Sequence, residues 1–110
     1  PDDPETYRPS AQPGMRAPHA WLSENRSVLD LFGRGFTLLC FDNKAEDGKR
    51  FQTAAAARRV PLAIVQIDDR AIANLYERKL VLVRPDGHVA WRGDASPRDV
   101  GTLLGRVTGF

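Results

Sequence analysis

The sequence predicts an α/β domain: a central mixed sheet of about four strands with flanking helices, preceded by an extended proline-rich arm. Three observations predict it. Residues 36–41, 62–67 and 80–83 are short apolar runs of strand type. The stretches between them carry helical patterning. Five of the eight prolines crowd into the first eighteen residues.

In chain order the arm comes first. Pro1, Pro4, Pro9, Pro13 and Pro18 each remove a backbone donor and push the preceding residue toward extended geometry. Residues 1–18 are therefore read as a linker or docking arm, and residues 19–110 as the folded domain, with Trp21 and Leu22 as its first anchor. Residues 27–32 (SVLDLF) offer a short helical turn or edge segment closed by Gly33 and Gly35. The run FTLLCF over 36–41 reads as a buried strand bounded by Asp42-Asn43. Residues 42–60 are helical, with Phe51, Ala54, Ala55 and Arg58 at helical spacing and Pro61 after them.

Residues 62–67 (LAIVQI) form a second, fully apolar strand. Asp68-Asp69 can cap a short helix reaching about Arg78, with Ile72, Leu75 and Tyr76 inward. Residues 80–83 (LVLV) are the third strand, and Arg84-Pro85-Asp86-Gly87-His88 has turn chemistry, proline first and glycine free for positive φ. His88 at its tip is read as exposed. Residues 88–92 alternate as a half-buried antiparallel partner would. Ser96-Pro97-x-Asp99 gives an N-cap, a first-turn proline and an acid. Val100, Leu103, Leu104 and Val107 follow at helical spacing, and Gly109 ends the helix. The order strand, helix, strand, short helix, hairpin, helix is that of a thioredoxin-like fold.

Composition bounds the function. The 110 residues suit one domain, and 42% apolar with 27% charged residues is an ordinary globular balance. No apolar run nears the ~20 residues of a membrane span. Thirteen arginines and three lysines against fourteen acids leave +2, with the basic pairs Arg58-Arg59 and Arg78-Lys79 offset by Asp68, Asp69 and Glu77. That pattern argues against a nucleic-acid surface. His19 and His88 are the only histidines and Cys40 the only cysteine, so neither a disulfide nor a metal site of usual spacing is expected. A lone cysteine suits a reducing compartment, and the cytoplasm is the expected location. Pro1 stands where a start methionine would, so the chain is expected to be processed or cut from something longer.

A thiol oxidoreductase needs a thiolate where the first strand meets its helix, and residues 41–47 (FDNKAED) hold no cysteine. Cys40 lies inside the strand, where it reads as a small buried hydrophobe. The stretch before the third strand, YERKL, lacks the proline that shapes such sites. Gly33-Arg34-Gly35 precedes its strand and lacks a third glycine, so it fails as a dinucleotide loop. Gly93-Asp94-Ala95 looks like a flavin-binding Gly-Asp pair but lies between a hairpin strand and the last helix, and reads as loop. Trp21 and Trp91 read as packing residues. Arg16, His19 and Trp21 stand out because an otherwise structureless arm carries them, which suggests contact with a partner surface.

Two stretches carry a family resemblance. RPSAQPGMRAPHAWL over 8–22, followed by SVLDLFGRGFTLL over 27–39, resembles the opening of a C-terminal domain, and LVLVRPDGHVAWR over 80–92 resembles its hairpin. The family is the FAD-dependent aromatic-ring hydroxylases of the phenol hydroxylase and polyketide hydroxylase type. The resemblance covers nearly the whole chain and is weakest over 43–79. It implies a parent flavoprotein monooxygenase using FAD, NAD(P)H and O₂ on a phenol-like ring. It also implies that the FAD and substrate domains lie N-terminal to this chain and that this piece is a redox-inactive, thioredoxin-like accessory domain. No catalytic, cofactor-binding or metal residue is expected here. Arg16, His19 and Trp21 are the expected interdomain contacts, and a homodimer is a further expectation. The alternatives are a stand-alone one-cysteine thiol oxidoreductase acting through Cys40 and a protein-interaction module.

Overall fold

The computed structural model describes residues 13–23, 26–33, 35–41 and 45–108. Its elements, in chain order, are β1 (Trp21–Ser23), β2 (Arg26–Ser27), a 3-10 helix (Val28–Leu31), β3 (Phe36–Cys40), α1 (Ala45–Ala57), β4 (Leu62–Gln66), α2 (Arg70–Tyr76), β5 (Leu80–Val83), β6 (Val89–Gly93) and α3 (Val100–Thr108). β1 and β2 form a small hairpin of their own. The main sheet has the order β4-β3-β5-β6. β4 lies parallel to β3, and the β3–β5 and β5–β6 pairs are antiparallel. This is the mixed four-stranded α/β arrangement expected from the sequence, with thioredoxin-like order.

Strand alternation sorts the apolar side chains into two cores. Leu38, Cys40, Leu80 and Leu82 face one way and pack with Phe51, Ala55, Val100, Leu103 and Leu104 beneath α1 and α3. Leu39, Val81 and Val83 face the other way and pack with Ile72 and Tyr76 of α2, Val28 of the 3-10 helix and Ala17. The sheet is thus covered on both faces, which explains why β5 is buried at all four positions.

Four local features depart from the expectations. β4 is apolar but lies at the sheet edge, where Ala63, Ile64 and Gln66 are exposed rather than buried. The α3 cap is Asp99, whose carboxylate accepts from the Thr102 amide at 3.0 Å and the Thr102 hydroxyl at 2.8 Å. Ser96 instead ties the loop to α1, its hydroxyl donating to Asp47 at 2.7 Å and accepting from Arg50 at 2.8 Å. His88 is half-buried, not exposed. The β1–β2 hairpin had no counterpart in the sequence reading. Gly109, expected to end α3, lies outside the described residues.

Candidate docking surface

Residues 13–18, expected to belong to an arm, lie against this same domain. A turn at Pro13-Gly14, with Gly14 at φ +88°, starts the segment along the free side of β6. Gly14 N–H donates to Val89 O at 2.7 Å, Val89 N–H to Met15 O at 2.8 Å, and Ala17 N–H to Gly87 O at 2.8 Å. Arg16 bridges His88 through its backbone. Ala17 and Pro18 are buried, and the Tyr76 hydroxyl donates to Pro18 O at 2.6 Å from the far side of the core. Residues 1–12 lie outside the described part.

Beyond Pro18 the side chains alternate, His19 and Trp21 exposed and Ala20 and Leu22 packed on the core. His19 Nδ1 meets Ser27 Oγ at 2.6 Å, and its ring stands edge-on to Trp21 with centroids 4.8 Å apart. Ser27 opens the 3-10 helix through a capping box: its hydroxyl accepts from Leu29 N–H at 3.1 Å, and Asp30 accepts from Ser27 N–H at 2.9 Å. Val28 N–H donates to Ala20 O at 2.8 Å, so the hairpin and the 3-10 helix are locked together. Leu29 is thereby pushed to the surface while Val28 is buried.

The outcome is an open groove of about 430 Å³ between residues 16–19, Leu29 and Phe32 on one side and the 85–87 turn on the other. Trp21 is 62% exposed, Leu29 42% and Met15 38%, three of the four large apolar residues so exposed among those described. Leu29 lines the groove, and Trp21 stands against the groove residue His19, so exposed apolar surface meets a polar rim there. The rim is charged. Asp86 pairs with Arg84 and accepts from His88 N–H at 3.0 Å. That backbone donor first, and the Arg84 guanidinium second, hold the Asp86 carboxyl below its ordinary value. His88 Nδ1 lies 3.3 Å from Asp86 Oδ1.

Of the residues singled out from the sequence, His19 and Trp21 therefore touch each other, and Arg16 lines the groove beside His19. Leu29, Phe32 and residues 85–87 were missed as part of the same surface. The Ser27-x-x-Asp30 spacing was a readable signal for the capping box that exposes Leu29.

Gly35, Gly93 and Cys40 sit in close packing contacts. A Cβ on Gly35 would lie 2.9 Å from both Cβ and O of Pro61, so that glycine serves a close approach of two backbones rather than a phosphate. A Cβ on Gly93 would lie 2.7 Å from the Trp91 ring, and the Asp94 carboxylate accepts from Lys79 N–H at 3.2 Å. Cys40 is 3% exposed within the α1/α3 core, without the access a nucleophilic thiol needs, so the one-cysteine oxidoreductase is not favoured. Among the described residues no His, Cys, Asp or Glu cluster could hold a metal, and no helix is long and apolar enough to cross a membrane.

The family model for the C-terminal part of aromatic-ring hydroxylases matches residues 10–109. The chain belongs to this family. Among curated relatives of this aromatic-ring hydroxylase domain, the FAD-dependent monooxygenase apdD of Emericella nidulans is 35% identical across 97% of the chain. Aklavinone 12-hydroxylase RdmE of Streptomyces purpurascens is 34% identical across 94%. Among solved structures, the rebeccamycin biosynthetic enzyme RebC with reduced flavin superposes with a TM-score of 0.92 at 53% identity over 96% of the chain. An aklavinone-11 hydroxylase with FAD and aklavinone gives 0.77 at 33% identity over 93%. The chain spans about a fifth of the length of these proteins, from 18% of apdD to 22% of RdmE.

Proposed function

We propose that this chain is the redox-inactive C-terminal accessory domain of a cytoplasmic, FAD-dependent, NAD(P)H-using monooxygenase that hydroxylates a phenol-like aromatic substrate. In this reading the FAD and substrate domains lie in the rest of the parent chain. The Arg16, His19 and Trp21 surface, extended by Leu29, docks on them. The observation that carries it is the 53% identity to one fifth of a flavin enzyme, in a chain whose Gly35 and Gly93 stand in close contacts and whose cysteine is buried.

The domain then contributes by position. Residues 14–17 are zipped to β6, and Pro18 is held by Tyr76, so chain entering from the N-terminal side is fixed to the sheet rather than loosely tethered. Trp21 and Leu29 supply apolar anchors, and Arg16 with the Asp86 rim supplies polar register.

Two measurements test the assignment. Titrating the isolated chain with FAD should leave flavin fluorescence unchanged. In the parent enzyme, Cys40→Ala should leave NAD(P)H oxidation with a phenolic substrate within about twofold of wild type, below the 1.4 kcal/mol that a tenfold change represents. Saturable FAD binding by the isolated chain, or loss of activity in Cys40→Ala with the fold intact, would overturn it.

A further inference from the structure

Residues 14–17 lie along β6 as its outer neighbour, and their register decides which backbone groups face away from the sheet. Val89 N–H donates to Met15 O and Ala17 N–H to Gly87 O, so two bonds bracket the antiparallel Arg16–His88 pair. The residues of a pair bracketed in this way exchange no hydrogen bond with each other. The Arg16 N–H and C=O therefore both turn away from β6. Among the described residues neither has a partner, and Arg16 is exposed. One donor and one acceptor of sheet-edge type thus stand side by side at this position.

The side chain at the same position is unspent too. The Arg16 guanidinium forms no ion pair among the described residues. Across the groove the Asp86 carboxylate is already matched, by the Arg84 guanidinium and by His88 N–H. One unpaired positive charge therefore remains on the groove wall, facing apolar surface from Leu29 and Phe32. Covering it with apolar surface alone would strip the guanidinium of water and return nothing. A strand laid against the Arg16 edge brings its nearest side chain within about 4.5–5.5 Å, Cβ to Cβ, and a carboxylate there meets the guanidinium fork.

We propose that this surface recognises an extended acidic segment of the parent chain, outside these 110 residues. The segment pairs with the backbone of Arg16, sets an aspartate or glutamate against its guanidinium, and lays an apolar side chain beside Leu29 and Phe32. This rests on the interdomain reading given above and adds the chemistry that the opposing surface carries. Arg16 supplies both the backbone edge and the charge, while Trp21 and Leu29 supply buried area.

The test uses the parent enzyme. Arg16→Lys keeps the charge and supplies an amine, which a water-soluble carbodiimide joins to a carboxylate in direct contact. The reagent activates the carboxyl, and the amine then displaces the urea to leave an amide. Mass spectrometry should find that amide between position 16 and one Asp or Glu outside the 110 residues. Its yield should exceed several-fold any formed by Arg106→Lys, at an exposed position on α3. Oxidative labelling of Trp21, low in the wild-type parent, should rise several-fold in Arg16→Glu and fall again when the identified acid is replaced by Lys. It should rise further in Arg16→Pro than in Arg16→Ala, because proline removes the outward N–H and leaves the bonds to β6 in place. Three results would each overturn the proposal while leaving the docking reading intact: Trp21 equally protected in wild type and Arg16→Glu, no amide from position 16, or amides only to acids within the 110 residues. Trp21 unprotected in the wild-type parent would overturn both.

Discussion

Tyr76 uses both halves of its side chain. The ring packs against Phe41 with centroids 5.5 Å apart, and the hydroxyl reaches across the core to Pro18 O. Tyr76→Phe keeps the ring but strips the buried Pro18 carbonyl of its donor, which should cost about 1–3 kcal/mol in urea unfolding. Burial raises the Tyr76 hydroxyl above its ordinary value. The stabilisation this represents is complete below the unfolded-state value of about 10 and is lost as pH rises beyond it. In an alkaline titration followed by tyrosinate absorbance, Tyr76 should ionise only with unfolding. Asp86 and Asp99 behave oppositely. His88 N–H holds one carboxyl low, and Thr102 N–H and hydroxyl hold the other. Their contribution is complete above the unfolded aspartate value of about 4 and disappears as pH falls through the lower folded values. The urea midpoint should therefore drop on acidification, less steeply in Asp99→Asn. Gly35→Ala forces a Cβ against the Pro61 backbone and should destabilise by roughly 1–3 kcal/mol, read from the same unfolding curves.

At the scale of elements, the strands and helices were legible because their apolar patterns match what the two cores require. The phase of α3 is an example. Val100, Leu103 and Leu104 are all buried as their spacing demands, and Leu104→Ala should cost about 2–5 kcal/mol by calorimetry or urea titration. What sequence could not show was which neighbour each element would find. An uncharged run such as LAIVQ looks the same whether a second strand or solvent lies beside it, so the edge position of β4 was hidden. Ser96 and Asp99 both have N-cap chemistry, and the tertiary pull of Asp47 and Arg50 on Ser96 leaves the cap to Asp99. Amide exchange in the first turn of α3 should accordingly quicken in Asp99→Ala and hardly change in Ser96→Ala. The prolines of residues 13–18 correctly excluded helix and central strand, yet extended backbone is also what closes an edge, and Gly14 supplies the turn that starts it. The β1–β2 hairpin was missed because strands of three and two residues carry no measurable alternation.

For the molecule as a whole, the surface and the interior divide the work. Cys40 is held in one core and the Tyr76 side chain in the other, and Gly35 and Gly93 stand in close contacts. Among the described residues, Met15, Trp21 and Leu29 are exposed near residues 14–19 and the 3-10 helix, while Ile64 is exposed on β4. Arg16, His19 and Trp21 were readable as a set because proline-rich segments seldom spend such residues. The groove they complete needed the fold to bring Leu29, Phe32 and the 85–87 turn beside them.

The most direct measurement is oxidative footprinting of Trp21 by mass spectrometry, comparing the isolated chain with the same residues inside the parent enzyme and using half-buried Trp91 as the internal reference. At 62% exposure Trp21 should label readily in the isolated chain. Inside the parent its labelling should fall several-fold relative to Trp91. Equal labelling of Trp21 in both settings would contradict docking through this surface.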